Sequence, residues 1–296
     1  MGLLSSSSRE QFEPRLRAFR AGIAELGYVE GSNLKTEHRW AENRYERLPA
    51  LAADLVRRDV ALIAALGSTP AALAAKQATS SIPIVFLVGG DPVALGLVAS
   101  LRRPGGNLTG VAQMGVELAV KRLELLQELV PAATSIALLV KRDNPNSTTQ
   151  AADIQGAAQR LALDVHVLEV DADNDLEAAV ASAAKTKRPL VIAVDTLFIN
   201  RSERLGALCL RFGVPAIFYT REFAVAGGLM SYGADFAESY RLAGVYAARL
   251  LKGEKPMNLP VQQATKVELI INLKTARELG VAIPLPLSGR ADEIIE

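Results

Sequence analysis

The chain has 296 residues, half of them apolar, which is enough for two hydrophobic cores of ordinary domain size. Its 33 lysines and arginines against 32 aspartates and glutamates leave a net charge of +1; with no basic block to gather a polyanion, nucleic acid is not an expected partner. No uninterrupted apolar stretch reaches the ~18 residues of a membrane-spanning helix, and a single cysteine, Cys209, leaves no internal disulfide to form.

Taken in chain order, one series of strands and helices runs twice. The first pass predicts strands at 2–4, 34–40, 60–66 and 82–88, separated by helices at 9–26, 48–57 and 70–78. The second predicts strands at 135–140, 164–170, 190–194 and 214–219, separated by helices at 147–161, 176–185 and 201–212. Helix-period segments alternating with short Val/Ile/Leu/Ala runs are the pattern of parallel strands buried on both faces by crossover helices. The expected fold class is therefore α/β, with two Rossmann-like lobes that each carry a parallel sheet.

Between the passes, the turn-rich stretch Arg103 to Gly110 leads into a short strand and a helix at 117–129. After the second pass, Gly227 to Gly233 echoes that stretch and precedes a helix at 236–251, with Gly253 as its stop. A late strand at 266–271 feeds a helix at 273–279 that fits neither repeat. Three crossings result, and a three-segment hinge is expected to join a lobe of residues 1–110 plus 234–266 to a lobe of 111–233 plus 267–296. A ligand cleft between the lobes is the leading expectation.

In open parallel sheets ligands bind beyond the carboxyl ends of the strands, so the loops there carry the candidates. In the first lobe these are Ser6 and Ser7, in a serine run that reads either as ligand contacts or as a flexible turn; Ser68 and Thr69, with Thr69 read as a helix cap ahead of Pro70; and Gly90 with Asp91, the latter also a candidate cap for a helix near Pro92. In the second lobe they are Asn144, Asp195, Tyr219, Arg221 and Tyr232. Asp195 ends an apolar run with no basic neighbour before Arg201, so it is either the partner of a ligand ammonium or the cap of a helix near Asn200. Ser68 and Thr69, at a helix N-terminus, are expected to take an anionic ligand group while Asp195 takes a cationic one.

Candidates for chemistry are few. His38 and His166 lie in corresponding second strands and, with the lone cysteine, offer no metal-ligand spacing. Cys209 sits at helical spacing among Leu205, Leu208 and Phe212 and reads as a buried, inert thiol. A G-x-S-x-G elbow, a Walker loop and a G-x-G-x-x-G after a strand are all missing, so no cofactor, no metal and no catalytic residue is expected.

Several strings in fixed order then point to a family: Leu26 to Gly31, Leu48 to Leu55, Thr69 to Lys76, Ile82 to Phe86, Gly90 to Val93, Arg103 to Gly110, Gly227 to Gly233 and Ile271 to Ala276. Together they span essentially the whole chain, and it resembles the ABC-transporter substrate-binding proteins of the tryptophan/tyrosine-uptake type. The resemblance implies a type I periplasmic-binding-protein fold, capture of an amino acid or aromatic carboxylate-type solute by hinge closure, and delivery to an ABC permease driven by an ATPase on another chain. It also implies a periplasmic or extracytoplasmic location. The first strand begins at the N-terminus without an export signal, and the expectation is that such a signal has been removed.

A monomer is expected, because no long heptad pattern demands a partner helix. The alternative is a two-lobed enzyme such as a glycosyltransferase or a racemase; a single mid-helix cysteine excludes a two-thiol racemase. An effector core of a transcription regulator would need a helix-turn-helix ahead of the first strand, which is not present.

Overall fold

In the computed structural model, residues 1–264 and 266–296 are described; Thr265, within the predicted 234–266 segment, lies outside them. In chain order the first elements are β1 (Gly2–Ser5), α1 (Arg9–Ala24), β2 (Glu37–Trp40), α2 (Leu48–Arg57), β3 (Ile63–Leu66), α3 (Thr69–Ala78), β4 (Ile84–Val88) and β5 (Leu108–Ala112). There follow α4 (Ala119–Leu129), β6 (Ser135–Lys141), α5 (Pro145–Arg160), β7 (Asp164–Val170), α6 (Leu176–Lys185), β8 (Leu190–Ile192), α7 (Thr196–Asn200), α8 (Ser202–Arg211), β9 (Ala216–Phe218), α9 (Arg221–Val225) and β10 (Met230–Ala234). The last are α10 (Phe236–Leu251), β11 (Gln262–Gln263), β12 (Val267–Asn272), α11 (Leu273–Glu278), α12 (Leu285–Ser288) and β13 (Glu293–Ile295). The chain divides into two compact units, Met1–Met114 with the described part of Asp235–Thr265, and Gly115–Ala234 with Lys266–Glu296.

The sheet of the first unit has the order β11-β5-β4-β3-β1-β2, and every pairing in it is parallel. Successive residues of its central strands face opposite layers. Leu4, Ile63, Ala65, Ile84 and Phe86 belong to one buried cluster, and Leu3, Ala64, Leu66, Val85 and Leu87 to the other. Both faces are therefore covered, which is why these strands read as continuous apolar runs rather than alternating ones.

The first of those layers is closed by α2 and α3, the second by α1 and α10. Helices α1 and α10 start where a side chain satisfies a free amide. The Ser8 hydroxyl accepts from the Gln11 amide, and the Asp235 carboxylate accepts from the Glu238 amide at 3.2 Å. Helices α1 and α10 approach closely because Gly22 and Gly244 lie at their crossing. A Cβ on Gly22 would come within 1.8 Å of the Arg241 carbonyl oxygen, and one on Gly244 within 2.1 Å of the Phe19 carbonyl oxygen.

The second unit repeats the arrangement. Its sheet runs β13-β12-β10-β9-β8-β6-β7, so β7-β6-β8-β9-β10 stand to one another as β2-β1-β3-β4-β5 do in the first. Ile136, Leu138 and Val140 of β6 enter a cluster with Leu123 and Leu126 of α4 and Ile154 of α5. Strand β12 departs from the all-parallel expectation and pairs antiparallel with β10, Met230 opposite Ile271 and Ala234 opposite Val267. Strands β11 and β13, of two and three residues, extend the two sheets at the edges next to β5 and β12 and have no counterpart in the sequence reading.

Candidate functional site

In the first unit β1 ends at Ser5 and releases the chain into two further buried serines, Ser6 and Ser7, at the carboxyl edge of the sheet. The hydroxyl of Ser6 lies 2.5 Å from that of Ser68, at the end of β3. Ser68, not Thr69, caps α3: its hydroxyl accepts from the Ala71 amide at 3.3 Å, and Thr69 is the first helical residue. The reason is conformational. Ser68 has the extended backbone of a cap, with φ −158° and ψ 124°, whereas Thr69 has already turned into the helix. The Ser7 hydroxyl is buried without a hydrogen-bond partner among the described residues, an arrangement costly unless something else satisfies it.

Gly90 is buried and Asp91 exposed after β4. Asp91 caps no helix. Its carboxylate accepts from the Val93 amide at 2.8 Å, and the segment continues as hydrogen-bonded turns, with the Leu95 amide donating to the Asp91 carbonyl. An aspartate followed directly by proline favours that local turn over helix propagation.

In the second unit the equivalent edge is more polar. Asn144 caps α5 by accepting from the Asn146 amide at 2.9 Å, and its side-chain NH₂ donates to the Asp195 carboxylate at 2.6 Å. Asp195, 2% exposed, also accepts from the Leu197 amide at 2.6 Å and caps α7. It therefore has the capping role left open by the sequence, with an amide partner from a neighbouring loop in addition. Behind it Gln150 holds the strand end in place: its carboxamide accepts from the Val194 amide at 2.7 Å and donates to the Val194 carbonyl at 3.3 Å.

Tyr219 is buried at the end of β9, and Tyr232, half-buried, stands beside it on β10. Phe223, nearby in sequence, packs in the interior, edge-on to Phe218 with ring centroids 5.8 Å apart. Gly233 leaves room for Tyr219, since a Cβ there would meet the tyrosine's carbonyl oxygen at 2.1 Å. Arg221 is exposed and paired bidentately with Glu293 at 2.8 and 2.6 Å, tying α9 to the edge strand β13.

One residue of this edge is missing from the sequence reading. Arg122, in the first turn of α4, is fully buried; one Nη donates to the Gly115 carbonyl at 2.9 Å, the other to the Tyr232 carbonyl at 3.5 Å, and the guanidinium carbon lies 5.6 Å from the Tyr219 ring centroid. Its Nε has no hydrogen-bond partner among the described residues. Burial pulls its pKa down to about 10, which still leaves it charged at neutral pH. An arginine among Leu123, Leu125 and Leu126 has the sequence signature of a solvated helix face, so nothing local distinguishes it.

Elsewhere, the Cys209 thiol is buried, which pushes its pKa up to about 12. His38 pairs with Glu30 at 2.8 Å and stacks on Trp40, and His166 is exposed on β7. Among the described residues no helix is long and apolar enough to cross a membrane.

With this geometry in view, the match to known families is decisive: the model of the ABC transporter substrate binding protein family covers residues 9–295. The chain belongs to that family. A "Tyrosine-binding protein" from Clostridioides difficile (strain R20291) is 28% identical over 266 residues, 90% of this chain and 76% of the relative. Among solved structures, the ABC domain from Streptococcus pneumonia in complex with L-Trp superposes with a TM-score of 0.89 at 26% identity, covering 99% of this chain and 98% of the other. A conserved domain protein from Vibrio cholerae has a TM-score of 0.90 at 24% identity over 99% of this chain and 98% of that one, and shares the fold. Substrate-binding proteins of ABC transporters bind a small solute, and the two repeated units described here are the α/β architecture on which this family does so.

Proposed function

We propose that this ABC substrate-binding protein captures an amino acid with an aromatic side chain, or a related aromatic carboxylate, using the side chains at the carboxyl ends of its strands. The observation that carries this reading is that the relative aligned over nine-tenths of the chain is a tyrosine-binding protein. The L-Trp complex of the Streptococcus relative supports it. The hydroxyls of Ser6, Ser7 and Ser68, with Thr69 and the backbone at Gly90 and Asp91, are suited to hydrogen-bond a carboxylate, and Asp195, steadied by Asn144, to receive an ammonium. Tyr219 and Tyr232 are suited to face an aromatic ring. Arg221, engaged with Glu293, serves structure more than ligand.

In this reading the protein binds without turning its solute over, works as a monomer outside the cytoplasm, and hands the solute to an ABC permease and its ATPase on other chains. It needs no cofactor. The test is calorimetric titration with L-tyrosine, L-tryptophan, L-phenylalanine, benzoate and aliphatic amino acids. Micromolar or tighter binding of an aromatic amino acid, with a lower radius of gyration by scattering in the bound state, supports the proposal. Binding confined to aliphatic amino acids or to none of the panel overturns it.

A further inference from the structure

We infer that Arg122 is a specificity-determining residue that makes this protein select solutes carrying a carboxylate. The inference rests on the solute class proposed above and assigns the charge that the class requires. The serine-lined edge of the first unit can donate hydrogen bonds to a carboxylate, but Ser6, Ser7, Ser68 and Thr69 carry no positive charge. Arg122 does, and its setting within the second unit is unusual for a buried cation.

Buried cations are ordinarily paired, because removing a charge from water is expensive unless an opposite charge replaces the hydration. Lys141, the other buried cation of this unit, follows the rule with Asp143 at 3.1 Å. Arg122 does not: its hydrogen bonds go to two backbone carbonyls, its Nε is unpartnered, and no carboxylate reaches ion-pair distance of it among the described residues. Glu117 acts on it through space only, from an exposed position.

The position of the charge gives it a use. Of the residues around the guanidinium, Tyr219 directly follows the carboxyl end of β9, Gly115 packs against Tyr219 and against Val194 just beyond the end of β8, and Tyr232 stands beside Tyr219 on β10, so the charge lies near the edge where ligands of open parallel sheets bind. Arg122 itself is covered, so it is a positioning residue: it orients the Tyr219 ring and the Tyr232 carbonyl by direct contact and projects an uncompensated positive field past them. Field lines from a buried charge are little screened by salt. A ligand carboxylate within reach of that field supplies the counter-charge the fold leaves out, and a decarboxylated analogue does not.

The experiment compares L-tryptophan with tryptamine and L-tyrosine with tyramine, by calorimetry, on wild type, Arg122→Lys and Arg122→Gln. Wild type is expected to prefer the acid over the amine by well over tenfold. Arg122→Gln should reduce that preference by about tenfold or more, the equivalent of about 1.4 kcal/mol, through weaker acid binding with amine binding little changed. Arg122→Lys should keep most of the preference. A purely structural arginine would weaken both members of a pair by the same factor, and that result overturns the inference. So does a wild type that binds acid and amine equally, which settles the matter even if Arg122→Gln does not fold. A wild type that binds no member of either pair refutes the solute class itself and the Arg122 assignment with it, whereas the other negative results leave the solute class standing.

Discussion

The side-chain amide of Asn144 donates to the carboxylate of Asp195 at 2.6 Å, joining the loop after β6 to the loop after β8. Each residue also caps the helix that follows it, so one hydrogen bond locks two helix N-termini at adjacent strand ends. Both side chains are at least nine-tenths buried, and removing either takes one hydrogen-bond partner from the other.

Asp195→Ala is therefore expected to act twice. Loss of the cap and of the Asn144 acceptor should cost roughly 1–3 kcal/mol of stability, measured by urea unfolding. Binding of an amino-containing ligand should weaken ten- to a hundredfold beyond any change for its deamino analogue, as expected for a charged hydrogen bond worth roughly 1.5 to 3 kcal/mol. Equal affinities of mutant and wild type for the amino ligand would reduce Asp195 to a cap.

Gly244→Ala should destabilise the first unit by roughly 1–3 kcal/mol, because the new methyl has a backbone carbonyl, not a flexible side chain, in its way. Ala at Gly156, where nothing lies within 4 Å of an added Cβ, is the matched control and should be neutral or stabilising. Similar unfolding midpoints for the two variants would contradict the tight crossing of α1 and α10.

Acid should weaken the first unit partly through Asp54. Hydrogen bonds from Arg58 and Arg39 hold its carboxyl well below the usual carboxylate range. A group whose pKa is depressed on folding contributes stability above its unfolded value of about 4, and that contribution fades as pH falls through the lower folded value. Asp54→Asn should thus lower stability at neutral pH and flatten the decline below pH ~4. Parallel pH–stability curves for mutant and wild type would count against this assignment.

Cys209 should resist alkylation by iodoacetamide at pH 8 in the native protein and react fully in denaturant, since the thiol is buried and its pKa is pushed up to about 12. Mass spectrometry before and after denaturation checks it. Rapid native modification would mean that α8 opens readily.

What could be read from the amino-acid sequence alone was whatever depends on near neighbours in the chain. The helices Leu48–Arg57, Leu176–Lys185 and Phe236–Leu251 and the strand Asp164–Val170 coincide with their predicted spans, because periodicity, caps and breakers are local signals. The repetition of those signals also determined that one α/β series runs twice along the chain, and the strings shared with a known family determined the kind of protein. Tertiary structure decided the rest. Strands of two or three residues such as β11 and β13 have no period to detect, and β12 runs antiparallel to β10 only because of where the chain has travelled in between. The roles of Ser68 over Thr69, of Phe223 in the interior and of Arg221 on Glu293 follow from backbone angles and distant partners. Arg122 is the extreme case: its charge is plain in the sequence, but its burial without a counter-ion exists only once residues 115, 219 and 232 have been brought around it, because desolvation is a property of the folded surroundings and not of the residue.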